Sequence, residues 1–202
     1  SIFMILGSLP FVLYLQAVRG NIFAIFKDNQ VQFFILLVIT SVLIVTFWNY
    51  QNTATFFNNF RASFFNTISI FTGTGYTTQD FNNWGSFITI LFLFLMLVGG
   101  CAGSTTCGIK IFRLQILYQS AKIQIFKLLN PHGVSVAKFN KMPVSESISS
   151  SVMGYFFMFI VIYILITLIL SFVGNDFLTS LSGAATSLAN VGPGLGNVIG
   201  PT

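Results

Sequence analysis

Two glycine-rich stretches without a charged residue interrupt strongly apolar sequence: Phe71-Thr72-Gly73-Thr74-Gly75-Tyr76-Thr77 and Ala189-Asn190-Val191-Gly192-Pro193-Gly194. Glycine permits backbone angles that other residues resist, so such stretches can leave a helix and turn several carbonyl oxygens to one side. At membrane depth, non-helical backbone persists only where protein or a water-filled path satisfies it. Carbonyls arranged about an axis there can replace the hydration shell of a cation. The candidate ligands are the backbone oxygens of Thr72, Gly73, Thr74, Gly75 and Tyr76 in the first stretch, and of Asn190, Val191, Gly192, Pro193 and Gly194 in the second. The Thr72 and Thr74 hydroxyls are further oxygens. Neither loop holds a carboxylate, so selectivity would come from neutral dipoles, which suits a large, cheaply dehydrated monovalent cation. Tyr76, Thr77 and Thr78 are placed to brace the loop, and Asp80 to draw cations to its mouth.

Each loop needs a helix to aim it, and the sequence supplies one in each case. Phe56, Phe57, Phe60, Phe64, Phe65, Ile68 and Phe71 recur at helical spacing, which predicts a short amphipathic helix over Thr55 to Phe71. A second short helix is expected over Phe177 to Ala189. Both would point a partially negative C-terminal end into the membrane, where it favours a cation. One re-entrant loop of this kind is as readily a packing device. Two in matching positions point to a selectivity filter.

The framework around these loops is apolar. Charged residues make up 6% of the 202 residues and hydrophobic residues 54%, too little charge to cover a soluble surface of this size. Val31 to Trp48 and Val152 to Val173 are uncharged and long enough to cross a hydrocarbon core of roughly 30 Å. Trp48 and Tyr50 are placed as interfacial anchors. Ile2 to Val18, broken by Gly7 and Pro10, reads as the end of a further span, and Phe87 to Val98 as the start of another. Of nine basic residues, six lie between Lys110 and Lys141, with two more at Arg19 and Lys27. That bias puts these segments in the cytoplasm and both glycine loops on the opposite side. The same basic residues are too scattered among apolar runs to bind nucleic acid.

The order span, short helix, glycine loop, span therefore occurs once in full and begins again. The expected fold is an all-α membrane protein built of repeated helix–pore-loop–helix units around a central pore. Residues 1–30 close one repeat with an inner helix and cytoplasmic loop, 31–128 form a complete one, 129–147 are a cytoplasmic linker, and 148–202 open the next. Ser1 lies inside an apolar stretch with no charged leader, so the expectation is a piece of a longer chain.

The span begun at Phe87 stalls at Gly99-Gly100-Cys101-Ala102-Gly103-Ser104-Thr105-Thr106-Cys107-Gly108. Glycine with Ser and Thr cannot hold a continuous helix there. The stretch is either a mobile element in the path or a small-residue packing surface between helices. Below it, Lys110 lies near the pore axis, and Arg113 snorkels to the cytoplasmic surface. Cys101 and Cys107 read as free thiols. An enzyme using them or Ser104 as nucleophile would lack a basic partner, since no His, Asp or Glu occurs between Asn82 and Asn130. No phosphate loop or dinucleotide fingerprint is present.

Four stretches together resemble the C-terminal half of the Trk-type potassium uptake family, with its Ktr and HKT relatives. They are Thr74-Gly75-Tyr76 with Asp80-Phe81, Gly99 to Thr105 with Gly108-Ile109-Lys110, Asn130-Pro131-His132, and Asn190 to Gly194. The resemblance implies four linked repeats around one pore, with Gly75 and Gly192 as the key glycines of the third and fourth filter loops and potassium held at the filter carbonyls. It implies that residues 99–108 form an intramembrane gate beneath the filter, with Gly99, Gly100, Gly103, Ser104, Thr105, Gly108 and Lys110 as its working residues. Thr106-Cys107 stands where many relatives carry more glycine, which stiffens this loop. The family also implies a homodimer in lipid, in a bacterial inner membrane, with a cytosolic nucleotide-binding ring of the TrkA or KtrA kind. No cofactor is expected beyond the transported ion. Another pore-loop cation channel, or a sodium-coupled cation symporter, is the alternative reading.

Overall fold

In the computed structural model, residues 1–50, 56–130, 138–140, 142–196 and 198–201 are described. Pro131, His132, Gly133 and Lys141 of the expected linker, and the turn 51–55, lie outside the described residues. The chain forms α1 (Ile2–Gly7), α2 (Phe11–Val18), α3 (Phe23–Lys27), α4 (Asn29–Tyr50) and α5 (Phe56–Phe71). A 3-10 turn (Phe81–Trp84), α6 (Ser86–Leu97) and α7 (Ile111–Leu129) follow. The strands β1 (Lys138–Phe139) and β2 (Met142–Pro143), α8 (Glu146–Phe172) and α9 (Phe177–Ala189) complete it.

α4 and α8, with 22 and 27 residues, are long and apolar enough to cross a membrane. α4 starts at Asp28, whose Oδ1 accepts from the Gln30 and Val31 amides at 2.8 and 3.3 Å, a side-chain N-cap. α1 and α2 are separate helices because Pro10 cannot continue a helix begun before it. Asp176 caps α9 by accepting from the Thr179 amide. At its other end Asn190 takes a left-handed φ of +52° and stops the helix.

α4 packs on α5, α8 on α9, and α9 against α6, so the short helix α9 sits between the two apolar helices α6 and α8. Phe34 of α4 stacks on Phe71 at the end of α5, with ring centroids 5.4 Å apart. Phe81, Trp84 and Phe92 form an edge-to-face aromatic cluster in the same core. Ile68, Val191 and Leu195 belong to the same buried core. Trp48 ties the end of α4 to the 3-10 turn by donating from Nε1 to the Trp84 carbonyl at 2.9 Å.

One feature was not expected from the sequence: the linker carries the β1–β2 hairpin, which two-residue strands cannot announce by periodicity. The short helix expected over Thr55 to Phe71 forms over Phe56–Phe71. Its Phe stripe is not wholly buried: Phe57 is 78% exposed, while Ser63, Asn66, Thr67 and Ser69 are buried. A short helix set against polar loops buries its polar face and leaves its first aromatics outward, where lipid is the solvent.

Candidate functional site

The two glycine loops meet backbone to backbone. Gly75 has a φ of +74°, and a Cβ on it would strike the Val191 carbonyl oxygen and lie 3.0 Å from Pro193 Cδ. Gly192 has a φ of +111°, and its Cβ would sit 3.5 Å from Gly75 Cα. A Cβ on Gly73 would lie 3.6 Å from the Asn190 carbonyl oxygen. The contact between residues distant in sequence therefore leaves no room for a side chain at Gly75.

Hydroxyls and amides of the short helices hold these loops from behind. Thr74 donates its amide to the Ser69 carbonyl at 3.0 Å, and its Oγ1 lies 3.1 Å from Thr72 Oγ1. The Thr72 hydroxyl donates to the Ile68 carbonyl at 2.7 Å, so it is committed to the helix end. Asn66 holds the returning chain with both ends of its amide, donating to Thr78 Oγ1 and accepting from the Thr78 amide, each at 3.0 Å. In the second loop, Thr186 Oγ1 accepts from the Gly192 amide at 2.8 Å and lies 3.1 Å from the Gly192 carbonyl, to which it donates. Ser182 makes the same double contact with Leu195, at 2.9 and 3.0 Å. Among the described residues, no donor reaches the carbonyls of Thr72, Gly73, Thr74, Gly75, Tyr76, Asn190, Val191 or Pro193. Those oxygens are available to a ligand, whereas the Gly192 carbonyl is engaged.

A clamp joins the loops at their mouth. Asn82 accepts from the Gly196 amide at 3.0 Å and donates to its carbonyl at 3.3 Å. Asp80 orients this clamp, accepting from the Asn82 amide at 3.0 Å and from Asn83 Nδ2 at 2.8 Å. Tyr76 is 69% exposed and takes no part in this bracing.

The 99–108 stretch leaves helical form at Val98 and returns through a parallel bridge to Ile109. Gly99 donates to the Ile109 carbonyl at 2.6 Å, and a Cβ there would strike the Cys107 carbonyl. Gly100 donates to Thr106 Oγ1 at 2.8 Å, and Ser104 Oγ donates to the Cys101 carbonyl at 2.6 Å. The Lys110 ammonium reaches back into the loop, donating to the carbonyls of Ser104, at 3.2 Å, and Thr106. Neighbouring elements tie it down as well. Cys101 donates to the Ser8 carbonyl at 3.0 Å, Thr105 Oγ1 to Gly7 at 3.0 Å, and Phe11 to Gly103 at 3.0 Å. The break between α1 and α2 thus meets the break between α6 and α7.

A polar chain runs from this loop to the linker hairpin. The Ala102 amide donates to Gln30 Oε1 at 2.9 Å, Gln30 follows the Asp28 cap, and Asp28 Oδ2 accepts from Asn140 Nδ2 at 3.1 Å. Cys101 is buried and Cys107 exposed, both as free thiols.

The cation transport protein model TrkH matches residues 1–201. The chain belongs to the TrkH family of cation transport proteins. It is 41% identical over 201 residues to the Trk system potassium uptake protein TrkI of Halomonas elongata, covering all of this chain and 41% of that protein. To the Trk system potassium uptake protein TrkG of Escherichia coli K12 it is 31% identical over 197 residues, 96% of this chain and 40% of that one. The crystal structure of the potassium transporter TrkH from Vibrio parahaemolyticus superposes with a TM-score of 0.91 at 28% identity, over 100% of this chain and 44% of that one. The chain thus spans about two fifths of the length of the curated relatives it matches. The fold is that of a helix-rich membrane transporter, as the resemblance implied.

Of the site residues expected from sequence, the structure brings the two glycine loops against each other and folds the 99–108 stretch back onto Lys110. The sequence reading missed Asn66, Thr186, Ser182, Asn82 and Gln30. Each is a short polar residue within or beside an apolar helix, a position where an unpaired side chain is costly; that was the signal available.

Proposed function

We propose that this chain carries two of the filter loops and the gate of a potassium uptake protein in a bacterial inner membrane. The observation that carries the reading is the pair of back-to-back loops whose carbonyls, Thr72 to Tyr76 and Asn190 to Val191, have no donor among the described residues. Two helix C-terminal ends face them, and a dehydrated monovalent cation is the ligand that such neutral oxygens suit. Residues 99–108 close the path beneath the filter, and Lys110 holds them closed. Helices α7 and the linker carry Lys122, Lys127 and Lys138, the surface for a cytosolic nucleotide-binding partner, and the uptake protein works as a homodimer.

The test is growth rescue at limiting potassium, with rubidium and sodium uptake, in cells lacking their own potassium uptake and supplied with the gene in its native reading frame. The unaltered protein restores growth and prefers potassium and rubidium. Gly75→Ser and Gly192→Ser admit sodium. Unchanged preference in both variants removes the filter assignment.

A further inference from the structure

Near the start of α7 a guanidinium has an aromatic ring as its partner. Arg113 lies 3.8 Å above the Tyr155 ring centroid, a cation–π contact between α7 and α8. Among the described residues no carboxylate pairs with it, and its N–H groups meet no acceptor. Stacking occupies the face of the guanidinium and leaves its edge, the fork that matches a phosphate or carboxylate, free. Lys110, three residues earlier, is spent on the 104–106 carbonyls, so the two cations serve different ends.

The space beside Arg113 is a cleft of about 300 Å³ lined by Arg113, Ser147, Ile148, Ser151, Val152 and Tyr155. Its depth is informative. Tyr155 lies nine residues into α8, about 13 Å along the helix axis at 1.5 Å per residue. The apolar run of α8 begins at Val152, after the serines of its first turns, so the cleft straddles the boundary between headgroups and hydrocarbon. Serines line the end near the start of α8, and exposed apolar residues continue the same face beyond Tyr155, with Met158 54% and Ile162 39% exposed. A ligand fitting this gradient has an anionic head and an apolar tail.

We propose that the cleft between α7 and α8 binds a phospholipid with a net-negative headgroup, its phosphate on the Arg113 fork and its acyl chains along Met158 and Ile162. Under the orientation set by the basic residues, this lipid belongs to the cytoplasmic leaflet. A soluble anion would use the same fork but would gain nothing from the apolar face above it.

The experiment is native mass spectrometry of the intact protein purified from membranes, titrated with phosphatidylglycerol or phosphatidylcholine. The unaltered protein retains phosphatidylglycerol about tenfold more tightly, because the quaternary ammonium of phosphatidylcholine is repelled by the guanidinium and offsets its phosphate. Arg113→Gln removes that preference, Arg113→Lys restores part of it, and millimolar inorganic phosphate does not displace the lipid. Size-exclusion elution of the variants confirms that they are folded; because Tyr155→Leu removes the stacking but leaves the charge, it provides a second reading and weakens retention less than Arg113→Gln. Equal retention of both lipids by the unaltered protein, or an undiminished preference in Arg113→Gln, overturns the site. Displacement by inorganic phosphate assigns the fork to a soluble anion and overturns the lipid.

Discussion

The two glycine loops and the 99–108 loop are alike rich in glycine and free of carboxylates, yet their carbonyls end in opposite conditions. In the first glycine loop, small side chains grip the backbone from the helix side and the oxygens of residues 72–76 stay open. In the lower loop the oxygens of Gly100, Cys101, Gly103, Ser104 and Thr106 all accept hydrogen bonds. Lys110, a cation tethered to the chain, accounts for two of these, at Ser104 and Thr106. Glycine content therefore does not decide whether a loop's carbonyls are open or engaged; the position of the donors does.

The largest expected effect separates the two filter loops. At Gly75 a methyl group meets the Val191 carbonyl and demands an unfavourable φ, while at Gly192 the nearest atom is 3.5 Å away and only the φ is strained. Gly75→Ala thus collapses discrimination between potassium and sodium by about a hundredfold, and Gly192→Ala by about tenfold, the scale set by a few kcal/mol of displaced geometry. Rubidium and sodium uptake measured side by side checks the order. Equal loss in both variants means that backbone angle alone matters and the contact between loops does not.

The second prediction sets gate against filter. Lys110→Met removes charge-assisted hydrogen bonds of about 1.5–3 kcal/mol from the lower loop, which favours its open form by at least about tenfold. Flux rises and loses its dependence on the cytosolic partner, while the potassium-to-sodium ratio stays as in the unaltered protein. Deletion of Gly103 to Thr106 does the same by removing the blocking segment. Well-folded variants with ordinary, regulated uptake would sink the gate.

What the sequence disclosed follows from the same physics. Uncharged runs, basic bias and the repeated order of span, short helix and loop were legible because each spreads over many residues. The helix Phe177–Ala189 matches its expected bounds for that reason, closed by Asp176 and Asn190. Other features hang on single contacts between distant residues and escape pattern reading. Asn82 meeting Gly196, Gln30 meeting Ala102 and Gly75 pressed on Val191 depend on how repeats pack. The α5 stripe announced its helix, but periodicity marks an apolar face without saying whether lipid or protein covers it.

A smaller effect probes how the lower loop is anchored from outside. Gln30 is the acceptor for the Ala102 amide, and Gln30→Ala removes one neutral hydrogen bond of about 1 kcal/mol. Amide exchange at Ala102 then quickens by about fivefold, with the filter amides unchanged. Gln30→Glu keeps an acceptor oxygen and keeps the protection. Exchange that is indifferent to both variants would leave the linker hairpin without a route to the loop.

The smallest expected effect compares the two short helices at their starts. α9 carries Asp176 as its cap, while neither it nor α5 has an acidic residue in its first turn. Hydrogen bonds from Thr179 hold the Asp176 carboxyl below the ordinary carboxylate range. Its pKa is thus lower in the folded than in the unfolded protein, and the stabilisation is complete above the ordinary value of about 4 and fades as pH falls through the depressed one. Asp176→Asn also caps a helix but cannot titrate, so its melting temperature falls less steeply than that of the unaltered protein as pH is lowered towards the acid range. The group is fully exposed, and salt screens it, so the difference narrows at high ionic strength. Identical acid profiles for the two proteins would show that the start of α9 is held by packing against α8 rather than by its cap.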